Sequence, residues 1–460
     1  MLVPSLERMI STRPTVRTVG RACFFPRPSF PKKLASVPLS ELHSSNPAFS
    51  KPTSRAARDR ARLRGLLYLV CVCTDFCAFI VMFTVSRRLA EAGAEPHYLG
   101  ILGAGVSFSA AIASLLGGWL SQRFDGRGVF LGGTATLLAS IAACSQLDPK
   151  GSGFVAAYAS LGFGLGCLYP PLIGWLNRGE ADAHTNSAGV SRRLILFCVA
   201  WNLGMMAGQL TGGSLFSFGA DVAFLVAFRV AVVNFILASV AASQVARLER
   251  EPVAATVAHL ANQERAAVFK RLGWFANLGG MFGGSMVVHL LSDLAVAIDV
   301  TSDQQGKLMA GWRVIIIATY LVMHVSQFWH YRLSAALTSQ ALGAVGLVVI
   351  ASANSGTVLM LGLALLGQLV GFNYFAGLYY STAGSSTERR ALAAGIHEAT
   401  LAGGMAVGTI VGGLMGTWMG HRVPYYMAAG VVALMMSFQV VGWWMGGGRR
   451  DRSAERSSAD

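Results

Sequence analysis

Asp75 and the adjacent pair His397 and Glu398 are ionisable residues that stand inside long apolar stretches of this chain. A charged side chain at the centre of a membrane costs about 3 kcal/mol even on the mildest scales unless it faces a cavity or a partner. A carboxylate placed there is therefore a candidate for carrying a proton. Asp75 is the clearest case, because it lies about 15 Å along a helix from the start of its stretch, near a bilayer midplane. The competing reading is a structural carboxylate hydrogen-bonded to Thr74 or to a neighbouring helix. Glu398 and His397 lie about 10 Å into a later stretch. Adjacent helical residues point about 100° apart, so if Glu398 faces a cavity, His397 packs against a neighbour.

A second set of residues carries a weaker signal. Asn202, Asn277, Gln368 and Asn373 could hydrogen-bond a solute, and Tyr169, Trp201 and Tyr374 could stack on one. Each could equally bond or pack between helices. Arg229 and Arg313 also fall within apolar stretches, and for Arg229 snorkelling or pairing is the better reading. Soluble chemistry has no foothold in the sequence. It contains no Walker loop, no H-E-x-x-H and no G-x-S-x-G turn, and no G-x-G-x-x-G follows a strand. No cofactor and no metal are expected. The seven cysteines, Cys23, Cys71, Cys73, Cys77, Cys144, Cys167 and Cys198, lack zinc-site spacing and read as packing residues.

The elements that must position these groups follow from composition. Of 460 residues 53% are hydrophobic and 13% charged, and glycine occurs 53 times, as expected where helices approach closely in lipid. The net charge of +15 sits mostly in residues 1 to 64, which hold 13 Lys and Arg against three acids. That excess therefore does not point to nucleic acid. The segment should be a disordered basic cytoplasmic tail or a start site set too early, although it also resembles an organellar transit peptide.

Beyond it, apolar runs of membrane length recur near 65–86, 98–121, 128–147, 152–176, 194–216, 222–245, 272–293, 308–329, 333–351, 356–382, 392–417 and 424–446. Residues 333 to 387 hold no Asp, Glu, Lys or Arg, so they must fold back, with Ala351 to Thr357 as the turn. With the N-terminus inside, the inner loops and C-terminus beyond the tail carry 17 Lys and Arg against 5 in the outer loops, which predicts that both termini are cytoplasmic. This divides the chain into a tail 1–64, six spans over 65–245, a cytoplasmic linker 246–271, six spans over 272–446 and a second tail 447–460. Val253, Val257, Leu260, Ala261 and Phe269 give the linker the spacing of an interfacial helix.

The halves are weakly self-similar. Gly204, Gly208, Gly212 and Gly213 form G-x-x-x-G-x-x-x-G-G, and Gly404, Gly408, Gly412 and Gly413 repeat it; Leu161-Gly162 recurs as Leu361-Gly362. With these motifs the chain resembles the major facilitator superfamily. Gly118-Trp119-Leu120-Ser121-Gln122-Arg123-Phe124-Asp125-Gly126-Arg127 is similar to the family's G-x-L-x-D-R-x-G-R loop, with Gln122 at the usual Asp and one residue inserted before Gly126. The series at 204 to 213 is similar to the span-five signature, with Gln209 where proline is usual. Ala394-Gly395-Ile396-His397-Glu398-Ala399 is similar to a segment of a bacterial subgroup without assigned substrates.

The resemblance implies an all-α membrane protein of two pseudo-symmetric six-helix bundles. It implies roles for Gln122, Arg123 and Arg127 in a conformational loop and for the two glycine series in helix packing. It also places spans four, five, seven and ten around a central cavity. Tyr158 stands where many drug/proton antiporters of the family carry Arg, so a multidrug role is not implied. Pro170-Pro171 should break or kink span four near the cavity. The expected function is a secondary transporter of a small solute in the plasma or inner membrane, working as a monomer in lipid, with protons as the candidate coupling ion through Asp75 or Glu398. Facilitated diffusion is the alternative, followed by a non-transporting receptor or scaffold on the same fold and by a membrane-embedded enzyme.

Overall fold

Among the described residues, twelve helices are long and apolar enough to cross a membrane. Among the residues that the computed structural model describes, 54–176, 187–247, 257–385 and 390–446, there is no strand. Runs that are apolar on every side need lipid or protein around them, and a helix satisfies its own backbone groups there. The first half is α1 (Ser54–Glu91), α2 (Pro96–Arg123), α3 (Arg127–Gln146), α4 (Ser152–Leu176), α5 (Ser187–Phe216) and α6 (Ala220–Gln244). The second begins with α7 (Val257–Ser285), which continues through a π-helical turn (Met286–Leu290) and a last α-helical stretch (Leu291–Ala297). It is completed by α8 (Ser302–Val325), α9 (Leu333–Ala351), α10 (Gly356–Ala383), α11 (Arg390–Met419) and α12 (Val423–Gly446).

Short polar turns set the boundaries. Gly126 adopts φ +76° ahead of α3, where a side chain would be strained. Thr301 and Gln304 form a reciprocal cap on α8, which starts that helix earlier than the expected 308 and lets it end at Val325 instead of 329. Residues 54–64, expected in the disordered tail, are the first turns of α1, because Ala, Arg and Leu favour continuation of the span that follows. Residues 1–53 and 447–460 lie outside the described residues. Residues 257–271, expected as a separate interfacial helix, run without a break into α7. Likewise α4 continues through Pro170 and Pro171 without interruption.

The sequence repeat has a geometric counterpart. Gly208 on α5 is so close to α1 that an added Cβ would lie 2.5 Å from the Phe76 carbonyl oxygen, and Gly408 on α11 stands 2.7 Å, on the same measure, from that of Phe282 on α7. Gly204 faces the Val72 carbonyl and Gly404 the Leu278 carbonyl, one helical turn earlier in each half. The last glycine of each series turns towards the other half. Gly213 lies against Gly306 on α8, while Gly413 lies against Gly100 on α2. The two halves thus meet along α2 with α11 and α5 with α8, related by the same pseudo-twofold as the repeat.

Where α1 ends, hydrogen bonds latch the halves together. Arg87 donates from Nη1 to the Val300 carbonyl at 2.9 Å and to Gln305 Oε1 at 3.0 Å. Gln305 Nε2 donates to Ser292 Oγ at 2.8 Å, and Ser292 meets the Ser86 hydroxyl at 3.0 Å. Arg87 is itself held by Glu91 one turn on, at 2.7 Å.

Candidate functional site

The helices that cross between the halves bring two buried carboxylates to the same region, one from each half. Asp75 on α1 is fully buried. Its Oδ2 accepts a hydrogen bond from the Tyr169 hydroxyl of α4, while its Oδ1 has no partner. Thr74 does not bind it, since the Thr74 hydroxyl accepts from Asn234 of α6 at 2.8 Å. In the other half Glu398 on α11 accepts from the Tyr374 hydroxyl of α10 at 2.8 Å. Tyr374 stacks on Trp201 of α5 with centroids 4.5 Å apart, so an aromatic pair bridges the halves. His397 lies beside this pair, its ring centroid 5.1 Å from that of Tyr374. A Cβ at Gly377 would touch its ring at 2.7 Å, and neither ring nitrogen has a hydrogen-bond partner.

One helical turn from Asp75, Phe79 lines a narrow pocket between the halves with Trp201, Met205, Met281, Trp312, Arg313, Leu401 and Met405. Arg313 is its only ionisable lining residue, and it is 3% exposed. Its Nε donates to Gln209 Oε1 at 3.3 Å and its Nη1 to Asn202 Oδ1 at 3.5 Å. Asn202 in turn donates to the Tyr320 hydroxyl at 3.2 Å. The guanidinium lies 4.2 Å from the Trp312 ring centroid and 5.3 Å from that of Phe79.

The candidates therefore separate. Asp75, Tyr169, Trp201, Asn202, Tyr374 and Glu398 gather where the halves meet. Three amides expected at the cavity donate instead within the second half, with Asn277 Oδ1 and Asn373 Oδ1 left buried without a partner. Asn277 donates to the Thr400 hydroxyl and the His397 carbonyl at 3.4 Å. Gln368 binds the Ser339 carbonyl at 2.7 Å and its hydroxyl at 2.9 Å. Asn373 donates to the Ala276 carbonyl at 2.8 Å and lines a second pocket with Phe269, Trp329 and Tyr380. For their N–H groups, neighbouring helices supply the acceptors. In the loop after α2, Arg123 lies 5.6 Å from the Trp119 centroid and Arg127 pairs with Asp125 at 2.7 Å; the side chain of Gln122 lies outside the described residues. Tyr158 stacks on Phe154 at 6.0 Å, inside the first half.

Arg313 and Gln209 are the site residues that sequence reasoning missed. The rule that singled out Asp75, an ionisable group in hydrocarbon, applies equally to Arg313. Gln209 was visible only as a missing proline.

Two halves of six membrane-length helices, related by a pseudo-twofold and enclosing polar groups where they meet, define a multi-pass membrane protein. The sequence profile of the Major Facilitator Superfamily matches residues 67–301, just over half of the 460 residues, and the chain belongs to this superfamily of transporters. Its fold is similar to the crystal structure of the human organic anion transporter MFSD10 (TETRAN), with a TM-score of 0.62 and 18% identity over 83% of this chain and 99% of that one. At this identity the likeness concerns the fold. No curated protein sequence matches the chain.

Proposed function

We propose that the chain is a proton-coupled secondary transporter of a small solute, alternating access to the pocket between its halves. The observation that carries this reading is Asp75, fully buried at the meeting of the halves with one oxygen held by Tyr169 and the other unpartnered. A carboxylate so placed is costly when charged and finds relief by binding a proton or by opening to water. The pocket lining, mostly apolar and aromatic around one buried cation, has the chemistry of a ligand site. Uptake by proteoliposomes with and without an imposed pH gradient tests the coupling. Accumulation only with the gradient supports it, and uptake indifferent to the gradient overturns it.

The chain is divided as the charge pattern suggests, with a basic tail 1–64 whose end forms the start of α1, halves over 65–245 and 272–446, a linker 246–271 and a tail 447–460. Both termini face the cytoplasm of a plasma or inner membrane, and the working unit is a monomer. The Ala394 to Ala399 segment supports placement in the bacterial subgroup it resembles. Single cysteines introduced at residues 258 and 150 of intact cells are expected to be labelled by an impermeant reagent at 150 only. The reverse pattern would invert the topology.

The Arg87 latch then lies at the outer side and holds it shut. Arg87→Ala removes hydrogen bonds that a buried cation makes to the other half, and should shift the population away from the outer-closed conformation by about tenfold. Labelling of a cysteine at Ser292 from outside should quicken by a similar factor. An unchanged rate would show that the latch is not a gate.

A further inference from the structure

Resting on the transporter reading, we infer that the solute is a small organic monoanion, a carboxylate with an aromatic or branched apolar body, whose charged end is taken by Arg313. A guanidinium presents five N–H donors. Here two are engaged by the neutral oxygens of Gln209 and Asn202, and no Asp or Glu among the described residues makes a salt bridge with it. The remaining donors are sufficient for the two-pronged grip that guanidinium offers a carboxylate. An unpaired cation buried to this degree is expensive, so its retention in the pocket wall is explained if the solute brings the missing charge.

The rest of the wall fixes the solute's body. Phe79, Trp201, Met205, Met281 and Trp312 leave apolar and aromatic surface around that cation, and methionine adapts to bodies of different outline. A single lining cation neutralises a single negative charge; a dianion would leave one charge uncompensated in a dry pocket.

The same geometry links solute to proton. Phe79, one helical turn from Asp75, lies 5.3 Å from the Arg313 guanidinium, so the carboxylate and the cation stand near each other without a salt bridge between them. Besides Arg313 from α8, the ionisable groups around Asp75 are Tyr169 from α4, Glu398 from α11, and Cys71 and Cys77 on its own helix. While Asp75 is charged it competes with the solute for the field of Arg313. Once a proton from solvent binds its carboxylate, the guanidinium is left for the solute carboxylate. Proton and anion therefore enter together, which is symport.

The test uses purified full-length protein in proteoliposomes with labelled benzoate, 3-phenylpropionate and isovalerate, each set against its uncharged amide, and with benzylamine as the cation. At least one acid should accumulate when the side facing the solute is acidified, and its amide and benzylamine should not compete. Arg313→Gln should raise the half-saturating concentration about 10- to 100-fold, the loss expected for a hydrogen-bonded charge, while Arg313→Lys should restore part of it. Thermal unfolding of the detergent-purified variants, with and without the acid, separates lost binding from lost folding. If none of the acids binds, or if binding is indifferent to both Arg313 variants while they remain folded, the monoanion inference is overturned. Gradient-driven transport of benzylamine that survives Arg313→Gln would overturn it and leave proton coupling standing. Arg313-dependent exchange of an acid without proton uptake would keep the monoanion and overturn the coupling.

Discussion

Asp75→Asn is expected to exchange labelled solute across a membrane at a rate near that of the unaltered protein, and to lose accumulation under a pH gradient altogether. The asparagine keeps the shape of the side chain and can still accept from the Tyr169 hydroxyl. It cannot release a proton, so the protein cycles only as the proton-loaded form would. Exchange needs no net proton movement and survives, whereas accumulation takes its energy from the gradient and fails. Tyr169→Phe removes the Tyr169 hydrogen bond to Asp75, leaving the long contact from the Cys71 thiol at 3.9 Å, and should weaken coupling by about tenfold or less, the worth of a single bond to a charged group. Glu398→Gln is the control in the other half, where the Tyr374 hydrogen bond at 2.8 Å repeats the arrangement. Accumulation that persists in Asp75→Asn removes Asp75 from the mechanism, and persistence in the double variant points to facilitated diffusion or another ion.

Much of the fold was legible because lipid leaves a chain few choices. Length, apolarity and the absence of charge are one-dimensional properties, so twelve spans could be counted and the Ala351 to Thr357 turn placed without three-dimensional information. The ends were less legible. Helices propagate past the hydrocarbon wherever the residues permit, as at Ser54 and Val257, and a cap such as Thr301 with Gln304 decides a boundary that hydropathy does not register.

The site was legible in its charges and poorly so in its amides. Asp75 and Glu398 were recognisable because the cost of burial leaves few reasons for keeping a carboxylate. An asparagine in lipid has many acceptable partners. Asn202, which meets Arg313, and Asn277, which ties α7 to α11, look alike in sequence and differ only in which helix lies opposite. The spacing of Gly204, Gly208, Gly212 and Gly213 showed that helices would meet closely, but could not show that adjacent glycines serve different contacts.

That division gives the last prediction. Gly208→Leu and Gly408→Leu place bulk against backbone within a half, where Phe76 and Phe282 carbonyl oxygens stand 2.5 and 2.7 Å from the first added carbon. Gly208 meets only backbone, and Gly408 meets the Phe282 backbone together with the Ser285 hydroxyl; the carbonyls cannot give way, so these variants should lose about 1–3 kcal/mol or more of stability, with most transport activity. Gly213→Leu and Gly413→Leu press instead on the contact between halves, where an added Cβ would lie 2.7 Å from the Ser302 carbonyl and 2.8 Å from that of Pro96. Each half can still fold. What the substitution opposes is the conformation in which α5 meets α8 and α2 meets α11 at this end, so the population moves to the one in which they separate. The expected signature is near-normal thermal unfolding, impaired transport, and faster labelling of a cysteine at Ser292. Equal destabilisation by all four substitutions would show that the two kinds of contact melt together, and the halves would then not be rigid bodies moving about the glycine pairs.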